Sequence, residues 1–268
     1  MSLKEDIFSK MHSLGISPKR SLGQNFLISQ HIVEKIFQEL ERRSPAFVVE
    51  IGPGLGVLTE QLIARKIPRK LIELDRKFAQ YWREHAETVI EDDVLNVNLA
   101  NLGLPRQTWL IGNLPYQIGS RLVVDLSLGP GEISGLIFMF QKEVAQRLMA
   151  QISTKDYGFL SVIAQTFWTI DKVVDASSED FYPAPKVSSR VIVFRRRVVD
   201  THFDEKYISF VKRAFQFRRK YMLKSFIDQE DKLKNSFTAL NIKNTVRAEE
   251  LSPEVFQKLF ILYNSETK

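Results

Sequence analysis

The sequence predicts an α/β fold, in which helices cover a parallel sheet, followed by a small all-helical domain. Three observations lead to this prediction. Strand-like runs alternate with helical segments up to about residue 140, and a glycine-rich turn follows the first long strand. After about residue 200 only helical patterns remain. Strands that alternate with helices are typical of a parallel sheet with helices on both faces.

The first regular element is a helix from about 30 to 43, with Ser29 placed to cap it. Apolar residues recur there at helical spacing: Ile32, Val33, Ile36, Phe37 and Leu40. A strand at 46–51 follows and breaks into Gly52-Pro53-Gly54-Leu55-Gly56. The remaining elements are strands at 71–72, 88–91, 108–111, 135–140, 170–176 and 187–196, and a helix at 76–87.

The change of pattern places a domain boundary near 195–203. We therefore expect one domain over 1–198, including an N-terminal extension over 1–28, and a helical domain over 199–268. Charge changes in the same region. Residues 1–185 contain 20 Lys+Arg and 22 Asp+Glu, whereas residues 186–268 contain 18 and 10. A basic segment with a net charge of +8 favours a polyanionic partner, although a solvated surface would have the same composition.

Composition excludes several kinds of site. The chain has no cysteine, which rules out disulfides, thiolate metal sites and a cysteine nucleophile. Its four histidines are scattered without the spacing of metal ligands, so we expect no metal. The first ten residues are too charged for a signal peptide, and no apolar run reaches the roughly 18–20 residues that a membrane span needs. We expect a cytoplasmic protein without a membrane partner.

The glycine turn and the acids after it predict a nucleoside cofactor. Gly52 and Gly54 permit a tight turn and a close approach of the backbone to a ligand. Glu73 lies 21 residues beyond Gly52, at the end of the next strand, where a carboxylate can accept hydrogen bonds from ribose hydroxyls. Acids at two more strand ends, Glu50 and Asp93, favour S-adenosylmethionine over a dinucleotide, because a carboxylate tolerates its cationic groups but repels a pyrophosphate.

The fourth strand runs into Asn113-Leu114-Pro115-Tyr116. A plain turn would also account for Asn and Pro. Beside a methyl donor, the Asn113 side-chain oxygen and the Leu114 carbonyl are placed to accept the two N–H groups of an adenine N6 amine. Pro115 would stiffen the loop and Tyr116 would offer a face for stacking. This loop is the candidate catalytic loop.

The sequence resembles a known family, the ribosomal RNA adenine N6,N6-dimethyltransferases. Seven motifs follow in the family's order over most of the chain. They are Leu22 to Leu27, Val49 to Gly56, Glu73 to Asp75, Asn113 to Tyr116, Gln141 to Ala145, Phe181 to Pro183 and Phe215 to Lys220. The resemblance implies a Rossmann-like, S-adenosylmethionine-dependent methyltransferase domain.

The resemblance also implies roles for particular residues. Asn25, Leu27, Gly52, Glu73, Asp93 and Asn113 are expected to contact S-adenosylmethionine. Asn113, Leu114, Pro115 and Tyr116 are expected to hold the target base, with Phe181 stacking on its other face. The sequence departs from the family pattern at Gln117, where the family usually has Asn, and at Ala184, where it usually has Pro.

Within the family, Leu114 and the helical tail favour the members that dimethylate two adjacent adenosines in a hairpin near the 3′ end of small-subunit rRNA. The expected substrate is a partly assembled 30S particle, with the enzyme acting as a monomer. Two alternatives stay open: a large-subunit methylase of the antibiotic-resistance type, and a ribosome-assembly factor whose binding matters more than its catalysis. Four cations are interleaved with aromatic residues and are expected to bind RNA: Arg218, Arg219, Lys220 and Lys224.

Overall fold

The computed structural model describes residues 2–19, 23–199 and 203–265. These form two compact units, the first comprising 1–122, 129–145 and 170–196, and the second 123–128, 146–169 and 197–268. Residues 123–128 and 146–169 therefore group with the C-terminal part of the chain, which the pattern along the sequence does not reveal. The limits 1–198 and 199–268 stay a prediction, and part of the expected boundary, 200–202, lies outside the described residues.

The first unit is built on a seven-stranded sheet with the order β4-β3-β2-β5-β6-β9-β7. The five strands from β4 to β6 are parallel, and β9 runs antiparallel to β6. This confirms the predicted α/β fold. The strands are β2 (Phe47–Ile51), β3 (Arg69–Glu73), β4 (Val89–Glu91), β5 (Thr108–Asn113), β6 (Ile133–Gln141), β7 (Trp168–Ala176) and β9 (Ser189–Arg196).

The helices of this region begin with one that the sequence analysis did not identify, α1 (Leu3–Ser13), which starts with a capping box at Ser2 and Glu5. Next comes α2 (Gln30–Glu41), whose five predicted apolar residues are all buried. Ser29 is its N-cap residue, but its side chain makes no capping hydrogen bond. The other helices are α3 (Thr59–Ala64) and α4 (Arg76–Glu84), together with α5 (Gly119–Ser127) and α6 (Lys142–Leu148), whose residues are divided between the two units.

A second, two-stranded sheet joins two motifs that are distant in the sequence. Strand β1 (Phe26–Leu27) pairs antiparallel with β8 (Phe181–Tyr182), with Leu27 opposite Phe181. Leu27 and Phe181 belong to the same buried apolar cluster as Ile36 and Phe37 of α2. The segment that precedes α2 is therefore fixed by packing as well as by hydrogen bonds.

The second unit is helical after residue 203, as the sequence predicts. Its helices are α7 (Phe159–Phe167), α8 (Glu205–Ala214), α9 (Glu230–Ala239) and α10 (Pro253–Ser265). The apolar face of α8 is buried, and the rings of Tyr207 and Phe210 contact Phe260 of α10. No helix in the described part of the chain is long and apolar enough to cross a membrane.

Candidate active site

A cavity of about 350 Å³ lies at the carboxyl ends of the parallel strands of the first unit. In open α/β sheets, ligands bind at this edge because the loops that follow neighbouring strands converge there. The cavity wall brings together ten of the residues that the sequence singles out: Asn25, Leu27, Gly52, Gly54, Glu73, Asp93, Asn113, Leu114, Pro115 and Tyr116. The strand ends that carry the candidate cofactor contacts and the candidate catalytic loop thus form one site.

The glycine turn after β2 is shaped by a side chain that the sequence analysis missed. The indole Nε1 of Trp82, on α4, donates a hydrogen bond to the Gly54 carbonyl at 3.0 Å. A Cβ on Gly56, whose φ is +88°, would lie 2.1 Å from a Trp82 ring carbon. Only glycine fits at position 56, because the Trp82 ring packs directly against the backbone there.

Glu73, at the end of β3, is buried with 6% of its surface exposed. Its carboxylate accepts hydrogen bonds from the Gly54 N–H at 3.0 Å and from the Asp75 N–H at 2.8 Å. Burial raises the pKa of Glu73, and these two backbone donors oppose that rise. The carboxylate therefore holds the glycine turn in place while its oxygens keep lone pairs that a ribose can use.

Glu50 lies on β2 at the inner wall of the cavity and is 1% exposed. Burial raises its pKa to about 8, although its Oε2 accepts a hydrogen bond from the Thr59 hydroxyl at 2.7 Å. A nearby positive charge favours the ionised form of such a buried acid. A cationic ligand in the cavity would therefore favour the ionised form of Glu50 and be attracted by it.

Two acids follow β4. Asp93 accepts a hydrogen bond from the Leu95 N–H through Oδ1 at 3.0 Å and lines the cavity, as expected. Asp92 is exposed and also lines the cavity.

Asn113 ends β5 and is held by a residue 88 positions earlier in the chain. Its Nδ2 donates to the main-chain carbonyl of Asn25 at 2.8 Å. Because the amide nitrogen is engaged there, the Asn113 oxygen is left as an acceptor for a substrate amine. Further along the same loop, the Tyr116 hydroxyl lies 2.8 Å from the hydroxyl of the buried Ser189 on β9.

Phe181, which is expected to stack on the target base, is buried in this structure. Phe181 is 3% exposed, belongs to the apolar core and does not line the cavity. Side chains alternate along a strand, so pairing of β8 with β1 turns Phe181 inward and leaves its neighbour Tyr182 39% exposed. Leu22, the first residue of the motif 22–27, lies outside the described residues. Gln117, which stands where the family usually has Asn, lines the cavity.

The four predicted RNA-binding cations lie in the second unit and differ in their surroundings. Arg218 is engaged within the protein, because Nε pairs with Glu249 at 3.1 Å and Nη2 donates to the carbonyls of Thr154 and Lys155. All four side chains are exposed, so Arg218 differs from Arg219, Lys220 and Lys224 in these contacts and not in its burial. Next to them, the Phe217 ring is 43% exposed, and the Lys220 ammonium lies 5.6 Å from its centre.

In the part of the chain that the structure describes, no group of three or more His, Asp or Glu side chains is arranged to hold a metal ion. The candidate site consists of carboxylates, side-chain amides, main-chain groups and the Tyr116 side chain.

The strand order, the glycine turn and the acids at successive strand ends define a Rossmann-like domain of the methyltransferase class. A dimethyladenosine transferase from Plasmodium falciparum has a similar fold, with a TM-score of 0.74 at 22% identity over 90% of this chain and 98% of that one. The 23S rRNA methyltransferase ErmE also has a similar fold, with a TM-score of 0.65 at 24% identity over 90% of this chain and all of that one.

The chain belongs to the ribosomal RNA adenine dimethylase family, whose model matches residues 16–265. The ribosomal RNA small subunit methyltransferase A of Bdellovibrio bacteriovorus is 40% identical to it over 264 residues, which cover 96% of each chain. The protein of the same name from a Sulfurihydrogenibium species is 38% identical over 91% of this chain and 96% of that one. The predicted family and enzyme class are confirmed.

Proposed function

We propose that this enzyme transfers methyl groups from S-adenosylmethionine to the N6 atoms of two adjacent adenosines near the 3′ end of small-subunit rRNA. The main support is the hydrogen bond that Asn113 Nδ2 donates to the Asn25 carbonyl. This bond leaves the Asn113 oxygen free to accept a hydrogen bond from a substrate amine, in a cavity that is lined by acids. Membership of an rRNA adenine dimethylase family supports the same chemistry.

The cavity suits S-adenosylmethionine by its shape and by its charges. The glycine turn gives a ligand close access to the backbone, and Glu73 and Asp93 offer acceptors to ribose hydroxyls and to an adenine amine. Glu50 provides a buried carboxylate near which a cation is favoured. When bound, S-adenosylmethionine supplies an electrophilic methyl group on a sulfonium, so the protein needs neither a covalent nucleophile nor a metal for this reaction.

The residues of the catalytic loop act on the target amine. The exocyclic N6 of adenine is a weak nucleophile because its lone pair is delocalised into the ring. Acceptance of its N–H groups by the Asn113 oxygen and the Leu114 carbonyl favours a pyramidal nitrogen with a localised lone pair. Tyr116, whose hydroxyl is anchored to Ser189, offers a ring face to the base. The target base is taken out of its stack to reach these groups.

The protein gains rate mainly from placement. Holding two reactants in line supplies roughly 7–11 kcal/mol of a barrier in favourable cases. No strong base is required, because the methylated nitrogen is cationic and loses its proton readily to water. The proton leaves from N6 after transfer, and the Asn113 amide itself does not change its protonation state.

The proposed substrate is a partly assembled small subunit in the cytoplasm, with the enzyme acting as a monomer. Relatives that are 30–40% identical over about nine-tenths or more of this chain carry the name small subunit methyltransferase A, which supports the small subunit rather than the large one. Arg219, Lys220 and Lys224 support binding to rRNA, because exposed cations displace counterions from phosphates.

Mass-spectrometric mapping of N6,N6-dimethyladenosine in rRNA from cells with and without this protein tests the proposal. We expect two adjacent dimethylated adenosines in small-subunit rRNA that are lost when the protein is removed. Loss of a large-subunit modification instead would favour the antibiotic-resistance type of methylase. Unchanged modification together with defective subunit assembly would favour a binding role alone.

A further inference from the structure

Asp75 follows β3 and is 5% exposed, yet neither the cofactor nor the base is expected to contact it. Its Oδ1 accepts the Lys77 N–H at 3.0 Å and so caps α4. Its Oδ2 accepts two further hydrogen bonds, from Lys19 Nζ at 2.8 Å and from Gln24 Nε2 at 3.2 Å. One carboxylate therefore joins the start of α4 to the segment that precedes β1.

The two residues that bind Asp75 also bind each other. The Lys19 N–H donates to Gln24 Oε1 at 2.8 Å, and the Gln24 N–H donates to the Lys19 carbonyl at 3.3 Å. Burial acts to raise the pKa of Asp75, but the bonds from Lys19, from the Lys77 N–H and from Gln24 outweigh it, and the pKa lies below its ordinary value. Asp75 is thus a stable anion at neutral pH.

The next residue along the chain completes the connection to the catalytic loop. Asn25 follows Gln24 directly, and its carbonyl accepts the hydrogen bond from Asn113. Asp75 lies after β3 and Asn113 ends β5, and both strands neighbour β2. Residues 24 and 25 therefore connect the two strand ends that flank the glycine turn.

We infer that Asp75, together with Lys19 and Gln24, is a positioning residue of the methyl transfer, because it holds the Asn25 carbonyl where that carbonyl orients the Asn113 amide. This inference rests on the proposed function. Without the fixed carbonyl, the amide of Asn113 can rotate. It then presents its N–H groups, instead of its oxygen, to the N–H groups of the substrate amine, and the two sets of donors repel each other. A role limited to capping α4 would need only the bond to the Lys77 N–H.

Two substitutions separate positioning from capping. Asp75→Asn keeps the volume and a good cap, since Asn caps helices about as well as Asp, but removes the charge that holds Lys19. Lys19→Met removes the ammonium group without disturbing the core, because the Lys19 side chain is 49% exposed. Lys19→Arg is the conservative variant, and Lys77→Met is the matched control, because the Lys77 side chain is exposed and only its backbone contacts Asp75.

Steady-state methylation of unmodified small subunits measures the effect. We expect Asp75→Asn and Lys19→Met each to lower kcat about tenfold, as a small misplacement of a catalytic group does. The KM for S-adenosylmethionine is expected to stay within about twofold, and the double variant to be no slower than the slower single variant, because both act through one contact. Lys19→Arg keeps most of the rate, and Lys77→Met keeps all of it.

Three results would overturn the inference: a wild-type kcat in both variants, an equal loss in Lys77→Met, or a loss of kcat that follows a lowered melting temperature. Strictly additive losses in the double variant would also contradict a shared contact. If the wild-type chain itself forms no dimethyladenosine on these subunits, the proposed function fails, and the inference fails with it. An active wild type with fully active variants refutes the inference alone.

Discussion

The cavity at the carboxyl edge of the sheet and the basic segment 218–224 both carry charged residues, but those residues are held in different ways. In the cavity, Glu50 and Glu73 are buried and hydrogen-bonded to the turn and helix that shape the site. In the basic segment, Arg219, Lys220 and Lys224 are exposed. A buried and fixed group can act on a reacting atom, whereas an exposed cation acts through the phosphate charge of a partner.

Arg218 belongs to the basic segment by sequence and differs from its neighbours by its contacts. Its guanidinium is engaged by Glu249 and by two main-chain carbonyls of the second unit. Charged residues that are clustered in the sequence therefore do not all have the same role. Substitutions in the cavity are expected to change the chemistry, and those at exposed cations to change affinity.

The largest effect is expected for Asn113→Ala. Loss of the acceptor for the substrate amine should lower the methylation rate by about 10²–10³-fold or more, as loss of one fixed polar group in an active site does. Initial rates with labelled S-adenosylmethionine measure this effect. Binding of the ribosomal particle should persist, because the exposed cations are intact, and a melting curve checks the fold. A rate near that of the wild type would show that Asn113 does not act on the amine.

The next effect concerns the methyl donor. Glu73→Ala removes a buried acceptor, so the Gly54 N–H and the Asp75 N–H lose their hydrogen-bond partner. We therefore expect the Kd for S-adenosylmethionine to rise about 10–100-fold. Calorimetry measures the change. Glu91→Ala is the matched control, because Glu91 lies opposite Glu73 in the β3–β4 register but is exposed and paired with Arg83. Equal affinities in the two variants would place the ribose contact elsewhere.

A smaller effect is expected in the basic segment. Replacing Arg219 and Lys220 with Ala should weaken binding to small subunits and reduce the slope of log K against log salt concentration by about one to two. Arg218→Ala should change that slope less, since its guanidinium is bound within the protein, and should lower the melting temperature instead. Binding titrations at several salt concentrations measure both. A larger change of slope for Arg218 would reverse the assignment.

The last effect is a dependence of stability, and not of activity, on pH. The pKa of Glu50 is about 8 in the folded protein, above its ordinary value of 4.5. The folded state therefore binds this proton more tightly than the unfolded state, so the contribution of Glu50 to stability is fully present below pH 4.5 and is lost as the pH rises to about 8. Glu50→Gln should flatten the fall in melting temperature between pH 5 and 9 in the absence of a methyl donor. Parallel curves for the two proteins would contradict this account.

The polar residues at the strand ends of the cavity could be predicted from the sequence. Each of them follows its own strand directly, and the carboxyl ends of parallel strands lie at one edge of the sheet. The sequence could not predict that Asn25 holds Asn113 or that Arg218 binds Glu249, since these contacts join residues far apart in the chain. Trp82 was missed for the same reason. The burial of Phe181 could not be predicted, because its side-chain direction depends on the pairing of two-residue strands, which carry almost no periodic signal.

One kinetic titration tests whether the cavity performs the chemistry and the exposed cations supply the affinity. Unmodified small subunits are titrated with the wild type, Asn113→Ala, and the variant with Ala at positions 219 and 220. We predict that Asn113→Ala loses kcat, whereas the basic-segment variant keeps kcat and has a raised, more weakly salt-dependent KM. A wild-type kcat in Asn113→Ala, or a lowered kcat with unchanged KM in the other variant, would contradict the account.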